Sequence, residues 1–132
     1  MARRLVVAAV GAFMVGNAIG LVDPGFILRF VGLAIASDHS TPAYPLGEVR
    51  AVYGGLFAVV GVFTLLSAID PAASRSRLVL LAWCWLGLGG GRLLGAVVDG
   101  DPGRRGWLFI AVELAAGALL LSCTTRRIPW RA

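Results

Sequence analysis

Three charged side chains lie inside apolar stretches of this chain that are long enough to cross a bilayer: Arg50, Arg92 and Glu113. A charged residue within the hydrocarbon is costly, and it usually faces the interior of a helix bundle, where it pairs with another charge or marks a site for a ligand, an ion or a proton. Arginine suits such a site because its guanidinium stays charged and binds phosphate or carboxylate with two parallel hydrogen bonds. The three residues therefore indicate recognition of an anion or an internal ion pair.

Arg92 and Glu113 are placed to reach each other. Arg92 lies six residues before the predicted end of its apolar stretch at Val98, and Glu113 lies six residues after the predicted start of the next stretch at Trp107. At about 1.5 Å per residue, both lie about 9 Å from the same end of the bundle. An arginine at the centre of a membrane helix costs about 2.5 to 3.5 kcal/mol, whereas one leucine or valine contributes only about 0.3 to 0.6 kcal/mol. We therefore expect a buried ion pair between Arg92 and Glu113.

Other polar side chains are predicted at the same level of the bundle. Arg50 enters from the same end and is expected to turn inward on the helix face of Gly54, while Asp99 lies on the face of Arg92 but nearer to water. The candidate ligand-binding residues at this level are Asn17, Arg50, Tyr53, Arg92, Asp99 and Glu113.

This polar level has two interpretations that the sequence leaves open. In the first, the polar residues only lock the helices in register, or Arg50 and Arg92 extend toward the lipid headgroups. In the second, they form an outward-facing pocket of net positive charge that receives an anionic headgroup, a carboxylate or a proton.

Signatures of catalysis and of metal binding are missing from the sequence. No His, Cys and carboxylate residues have the spacing of a metal site, and there is no phosphate loop and no G-x-S-x-G motif. We therefore expect no metal and no cofactor. An enzyme that uses Glu113 or Asp99 as acid or base is the least favoured interpretation.

The elements that must position these residues are predicted to be transmembrane helices. Hydrophobic residues make up 58% of the chain and charged residues 14%, whereas a soluble domain carries about 25% charged residues. A helix needs about 20 apolar residues to cross the hydrocarbon. The stretches of about this length within the 132 residues are 5–22, 48–69, 78–98 and 107–123. We predict an all-α fold, a four-transmembrane-helix bundle that forms a single integral membrane domain over residues 1–132.

Two further segments qualify this prediction. Residues 24–35 are apolar but too short to cross, so we expect a short interfacial helix between spans one and two. The first stretch also resembles a signal peptide, with a basic start and small residues near its end, and we favour an uncleaved span.

The basic residues of the chain are all arginines, and they are grouped at the ends of the apolar stretches. This placement differs from the basic stripe of a nucleic-acid-binding surface, so we expect no nucleic acid among the partners. The side that holds both termini would carry Arg3, Arg4, Arg75, Arg77, Arg126, Arg127 and Arg131. The positive-inside rule therefore predicts a multi-pass protein of the cell membrane with both termini in the cytoplasm.

Small residues recur at helical spacing in three of the stretches, which favours close helix packing in lipid. The stripes are Ala8, Ala12, Gly16 and Gly20; Gly47, Ala51, Gly54, Ala58 and Gly61; and Gly87, Gly91 and Gly95. One stripe could instead mediate homo-oligomer formation. The triplet from Gly89 to Gly91 indicates either close packing or a local kink beside Arg92.

The order of several short motifs resembles that of a known family. The run E-V-R-A-V-Y-G-G from Glu48 to Gly55 is followed by Gly91-Arg92, by D-G-x-P from Asp99, and by the isolated Glu113. This pattern resembles an uncharacterised family of small four-helix bacterial integral membrane proteins, classed as a domain of unknown function. The resemblance implies a four-span fold and places Glu48, Arg50, Tyr53, Arg92, Asp99 and Glu113 in the family pattern, but it implies no activity.

The sequence thus predicts an integral membrane protein whose outward-facing polar pocket binds a small anionic or lipid-headgroup ligand. The alternative is a non-catalytic accessory or scaffold subunit of a larger membrane complex, with a purely structural ion pair. The expected partners are membrane lipids, together with either a membrane protein or a second copy of this chain.

Overall fold

The computed structural model describes residues 1–32, 46–47 and 49–124, and the regular elements within these ranges are helices. Expectations that concern Glu48 and residues 33–35, as well as the arginines after position 124, lie outside the described residues.

The polypeptide crosses the length of the molecule four times. The helical elements in chain order are α1 (Ala2–Gly16), α2 (Ile19–Val22), α3 (Pro24–Val31), a π-helical segment (Arg50–Leu56), α4 (Phe57–Ile69), α5 (Arg75–Val98) and α6 (Gly103–Thr124). We call Ala2–Val22 span 1, Arg50–Ile69 span 2, α5 span 3 and α6 span 4, all of which are long and apolar enough to cross a membrane. The prediction of an all-α fold with four such helices is confirmed.

Spans 3 and 4 begin at Arg75 and Gly103, earlier than the predicted starts at 78 and 107. Their first turns contain arginines, which lower the local hydropathy, so the apolar stretch counted from the sequence begins later than the helix does. The backbone stays helical there because a long arginine side chain can extend along the helix toward a polar boundary.

The helices pack mainly as two antiparallel pairs, spans 1 and 2 in the first pair and spans 3 and 4 in the second. In the first pair, a Cβ added to Gly61 would lie 2.7 Å from the backbone nitrogen of Val15 and 3.0 Å from the carbonyl oxygen of Gly11. In the second pair, a Cβ added to Gly117 would lie 3.0 Å from the carbonyl oxygen of Ala82. Such close backbone approach supplies packing energy where lipid offers no hydrophobic drive for association.

The predicted glycine stripe of span 3 does not make these contacts. Among the described residues, nothing on another element lies within 4 Å of a Cβ added to Gly87 or Gly91, and a Cβ added to Gly95 approaches only Asp99. Gly89 packs instead, since a Cβ there would lie 2.8 Å from the Leu114 side chain. Two residues rotate a helix by about 200°, so Gly89 faces span 4 while the predicted stripe faces away. This part of the packing prediction is wrong.

Of the two interpretations of the Gly89 to Gly91 triplet, close packing is confirmed at Gly89, and a local kink is excluded because span 3 is a continuous α-helix. Irregular backbone occurs instead in the first pair. A turn at Asn17 and Ala18 divides α1 from α2, and span 2 begins as a π-helix. They lie against each other at the end of the molecule where spans 1 and 3 end, which we call the distal end. There a Cβ added to Gly54 would lie 2.7 Å from the backbone nitrogen of Leu21.

The short helix α3 follows span 1 at the distal end. Asp23 caps it, since its Oδ1 accepts a hydrogen bond of 2.8 Å from the backbone nitrogen of Phe26, and Pro24 occupies the first turn. Gly32 ends the helix in a left-handed conformation with φ 85°. The helix therefore covers residues 24–31 of the predicted segment 24–35.

The turn between spans 3 and 4 is fixed by Asp101. Its Oδ1 accepts hydrogen bonds from the backbone nitrogen of Gly103 at 3.0 Å and from Nε1 of Trp107 at 2.8 Å. This turn sets the start of span 4 and therefore the position of Arg105 in its first turn.

Candidate functional site

Arg92 of span 3 and Glu113 of span 4 form an ion pair. Arg92 Nε donates a hydrogen bond of 2.9 Å to Glu113 Oε1. Glu113 is 5% exposed, whereas the Arg92 side chain is 31% exposed. The close approach of the two helices at Gly89 brings both side chains within reach, so the pair lies within the second helix pair.

Aromatic rings surround this ion pair. The guanidinium carbon of Arg92 lies 5.5 Å from the ring centroid of Phe109, a cation–π distance. Phe109 in turn makes an edge-to-face contact with Phe30 of α3, with ring centroids 5.6 Å apart. The rings of Phe13 in span 1 and Trp85 in span 3 have centroids 6.0 Å apart. The charges are thus held in a largely apolar setting, which strengthens their mutual attraction.

A small cavity of about 20 Å³, which we call the inner cavity, lies beside the ion pair. Its polar lining comes from Asn17, Tyr53, Trp85, Arg92 and Glu113, and its apolar lining from Phe13, Phe30, Val31, Phe57, Phe109 and Val112. This volume accommodates about one water molecule. It is too small for a lipid headgroup.

The inner cavity brings together four of the six candidate residues: Asn17, Tyr53, Arg92 and Glu113. Asn17 donates its side-chain amide to the carbonyl oxygen of Phe13 at 2.9 Å, which satisfies one donor at the point where α1 ends. Tyr53 lies in the π-helical segment opposite.

Arg50 and Asp99 lie outside the inner cavity. The prediction that Arg50 turns inward is wrong: the residue is exposed, and its Nε donates a hydrogen bond of 3.2 Å to the carbonyl oxygen of Leu21. The physical reason is that span 1 ends beside it and leaves carbonyl groups without helical donors. Asp99 is exposed and ends span 3, with its backbone nitrogen bonded to the carbonyl oxygen of Gly95 at 2.7 Å.

Two larger cavities lie along span 4, the first facing span 1 and α3 and the second facing spans 1 and 3. The first, of about 360 Å³, is lined by Phe13, Phe30, Leu108, Phe109, Val112 and two arginines, Arg29 and Arg105. The second, of about 300 Å³, is lined by Ala9, Val10, Phe13, Trp85, Val112, Ala115, Ala116 and Leu119. Because Phe13 and Val112 border both, the two cavities adjoin along span 4, and we call them together the lateral groove, which has a cationic distal end and an apolar body.

A further cavity of about 220 Å³ lies on the other side of Phe13, between span 1 and α3. It is lined by Phe13, Gly16, Asn17, Ile19, Phe26, Ile27 and Phe30. Phe13 therefore borders each of the four cavities described.

Sequence reasoning missed Arg29 and Arg105 as site residues, since it assigned both to topology. The structure brings them together: Arg105 Nη1 donates a hydrogen bond of 3.0 Å to the carbonyl oxygen of Arg29. The available signal was the position of each arginine in a helix turn at the distal end, Arg29 in the last turn of α3 and Arg105 in the first turn of span 4.

Comparison with known proteins gives a family but no relative of known activity. No significant match was found among curated proteins or among solved structures. Within the described residues, no group of three His, Cys, Asp or Glu side chains is placed to hold a metal ion. Residues 2–123 match the family described as Domain of unknown function (DUF4345). The chain therefore belongs to this uncharacterised family, and the prediction of a family of unknown function is confirmed.

Proposed function

We propose that this membrane protein binds an anionic amphiphile, a phosphate or carboxylate group on a hydrocarbon chain, in the lateral groove between spans 1 and 4. The observation that carries the proposal is the pairing of Arg29 and Arg105 at one end of a groove whose remaining lining is apolar. Arginine forks suit phosphate and carboxylate, and an apolar groove suits a hydrocarbon chain.

The distal end of the groove has a net positive charge. Arg29 Nη2 lies 3.6 Å from Asp23 Oδ2, and both side chains are more than half exposed, so this contact is weak. Among the described residues that line or contact this end, one carboxylate lies beside two guanidinium groups, and the resulting net positive charge favours an anion. Arg105 uses Nη1 for the carbonyl oxygen of Arg29, which leaves its other N–H groups for a ligand.

The length and lining of the groove favour a ligand with a hydrocarbon chain over a free phosphate. The groove follows span 4 from Arg105 to Leu119, a distance of about 21 Å along the helix axis. A small anion would contact only the arginine end, whereas an amphiphile would also cover the apolar body.

This proposal keeps the predicted class of ligand and moves its location. The inner cavity of about 20 Å³ has no room for a headgroup, so the Arg92–Glu113 pair serves to hold spans 3 and 4 together beside the groove. We infer from the arginine distribution that the arginine end of the groove faces the extracytoplasmic side of the cell membrane, with both termini in the cytoplasm.

Thermal unfolding in a neutral detergent tests the proposal. Phosphatidylglycerol should raise the Tm in a saturable manner by several degrees, because a ligand that binds only the folded state stabilises it. Phosphatidylcholine and glycerol 3-phosphate should not, since the first lacks net charge and the second lacks a chain. Combined Arg29→Gln and Arg105→Gln should abolish the shift.

Arg104→Gln is the matched control, because Arg104 adjoins Arg105 in the chain but does not line the groove. It should leave the shift intact. Equal stabilisation by phosphatidylcholine, or an unchanged shift in the double variant, would contradict the proposal; stabilisation by glycerol 3-phosphate alone would replace the amphiphile with a free phosphate.

A second candidate function is that of an accessory subunit, and one observation favours it. Gly87 and Gly91 of span 3 are exposed, and a Cβ added to either would meet no described atom of another element within 4 Å. They leave a smooth helix face of the kind that another membrane helix packs against. A larger protein that stays bound on gentle solubilisation, and is lost in the Gly87→Leu variant, would support this candidate.

A further inference from the structure

Two buried polar atoms beside the ion pair have no hydrogen-bond partner within the part of the chain that the structure describes: Trp85 Nε1 and Glu113 Oε2. Trp85 is 1% exposed and Glu113 is 5% exposed. The indole N–H can only donate, and an ionised carboxylate oxygen can only accept. Their needs are therefore complementary, although they do not bond to each other.

Both residues line the inner cavity, whose volume is about 20 Å³. One water molecule needs a cavity volume of about 10 to 15 Å³, together with two to four polar partners. Asn17 and Tyr53 line the same cavity and add further polar atoms. The cavity thus has both the volume and the polar lining of a hydration site.

We propose that the inner cavity binds one water molecule, which accepts a hydrogen bond from Trp85 Nε1 and donates one to Glu113 Oε2. The lining excludes other guests. A cation would meet the Arg92 guanidinium and the indole donor, an anion would meet the Glu113 carboxylate, and an apolar group would leave both buried atoms unpaired. A hydroxyl both accepts and donates, and only water is a small enough hydroxyl to fit.

The bound water completes the hydrogen bonding of the Glu113 carboxylate, with Arg92 on one oxygen and water on the other. It also links Trp85 of span 3 to span 4 at a point where no direct side-chain bond joins them among the described residues. This site is distinct from the lateral groove and does not depend on the ligand proposed there.

The indole N–H of Trp85 provides a direct probe. The full-length protein is labelled with ¹⁵N-tryptophan, held in deuterated detergent, and examined by NMR for magnetisation transfer between indole N–H groups and water. The Trp85 resonance is assigned from the Trp85→Phe variant, or by elimination from substitutions of Trp83, Trp107 and Trp130. We expect a cross-peak between the Trp85 indole proton and water.

Trp83 is the internal control, because it lies two residues away in the same helix but is 62% exposed on the outer face of the bundle. It should show no water cross-peak at this depth. The Tyr53→Phe variant removes the nearby phenol hydroxyl and should retain the Trp85 signal. Absence of the Trp85 cross-peak in folded protein, an equal cross-peak at Trp83, or loss of the signal in Tyr53→Phe would each overturn the proposal.

Discussion

The first helix pair is interrupted twice near the distal end, whereas the second pair consists of two uninterrupted α-helices. In the first pair, a turn at Asn17 and Ala18 breaks span 1, and span 2 begins with the π-helical segment Arg50–Leu56. In the second pair, spans 3 and 4 are regular over their whole length and carry the ion pair of Arg92 and Glu113.

The difference shows how the molecule divides its tasks. Two regular helices hold two charges in fixed register, since the rise and rotation per residue are constant. The irregular backbone opposite supplies Asn17 and Tyr53 to the inner cavity, and π-helical turns are frequent at functional sites. The regular pair therefore supplies the charges, and the irregular pair shapes the space beside them.

Removal of Arg92 should have the largest effect, because it breaks the feature that defines the second pair. Arg92→Leu leaves the Glu113 carboxylate buried and unpaired, which should lower the free energy of unfolding by roughly 3 kcal/mol, the low end for buried pairs because Arg92 is partly exposed. Equilibrium unfolding in mixed detergent micelles measures this loss.

The double variant Arg92→Leu, Glu113→Leu is its control. It should recover most of the lost stability, since neither charge then remains unpaired. A double variant as unstable as Arg92→Leu alone would show that the pair does not account for the loss.

Glycine substitutions should cause intermediate losses of stability, and these losses should differ between the two helix pairs. Gly61→Ala should cost about 1 to 3 kcal/mol, since its Cβ would lie 2.7 Å from the backbone nitrogen of Val15, which can shift only with the helix. Gly117→Ala should cost less because its nearest obstacle is the Leu86 side chain at 2.7 Å. Gly87→Ala should cost nothing, as no atom of another element in the described part of the chain lies within 4 Å of the added Cβ. Thermal unfolding gives the order, and equal effects at all three would contradict the packing described.

The smallest effect is expected at the distal end of the first pair. Arg50→Gln should lower the free energy of unfolding by about 1 kcal/mol, because the exposed guanidinium supplies one hydrogen bond to the carbonyl oxygen of Leu21. Hydrogen exchange should rise at the backbone amides of Ile19–Val22 and stay constant in span 3. An equal rise in both places would mean that Arg50 supports the whole bundle and not one helix end.

The depth of the key residues could be predicted from the sequence, because depth depends only on residue number and helical rise. Counting from the ends of the apolar stretches placed Arg92 and Glu113 at one level, and the structure joins their side chains at 2.9 Å. The residues of a helix that face its neighbour could not be predicted, since this depends on where the neighbouring helix lies around the helix axis. Gly89, and not Gly87 or Gly91, faces span 4.

Backbone irregularity was the second feature that the sequence did not reveal. Three successive glycines suggested a kink in span 3, yet the helix continues, since an unsatisfied backbone group is costly in lipid. The π-helical segment arose instead at Arg50–Leu56, where Gly54 packs against span 1. Arg29 and Arg105 were missed because they are 76 residues apart in the chain and meet only through tertiary packing.

Phe13 lies between the lateral groove, which is mostly apolar, and the inner cavity, which has a polar lining. Its ring borders the lateral groove and also the inner cavity beside the Glu113 carboxylate. Rotation of a partly exposed side chain takes picoseconds to nanoseconds, whereas displacement of whole helices takes microseconds or longer. Phe30, Phe109 and Val112 also border both spaces, so the inner cavity and the lateral groove are separated by side chains, whose rotation demands no rearrangement of the backbone.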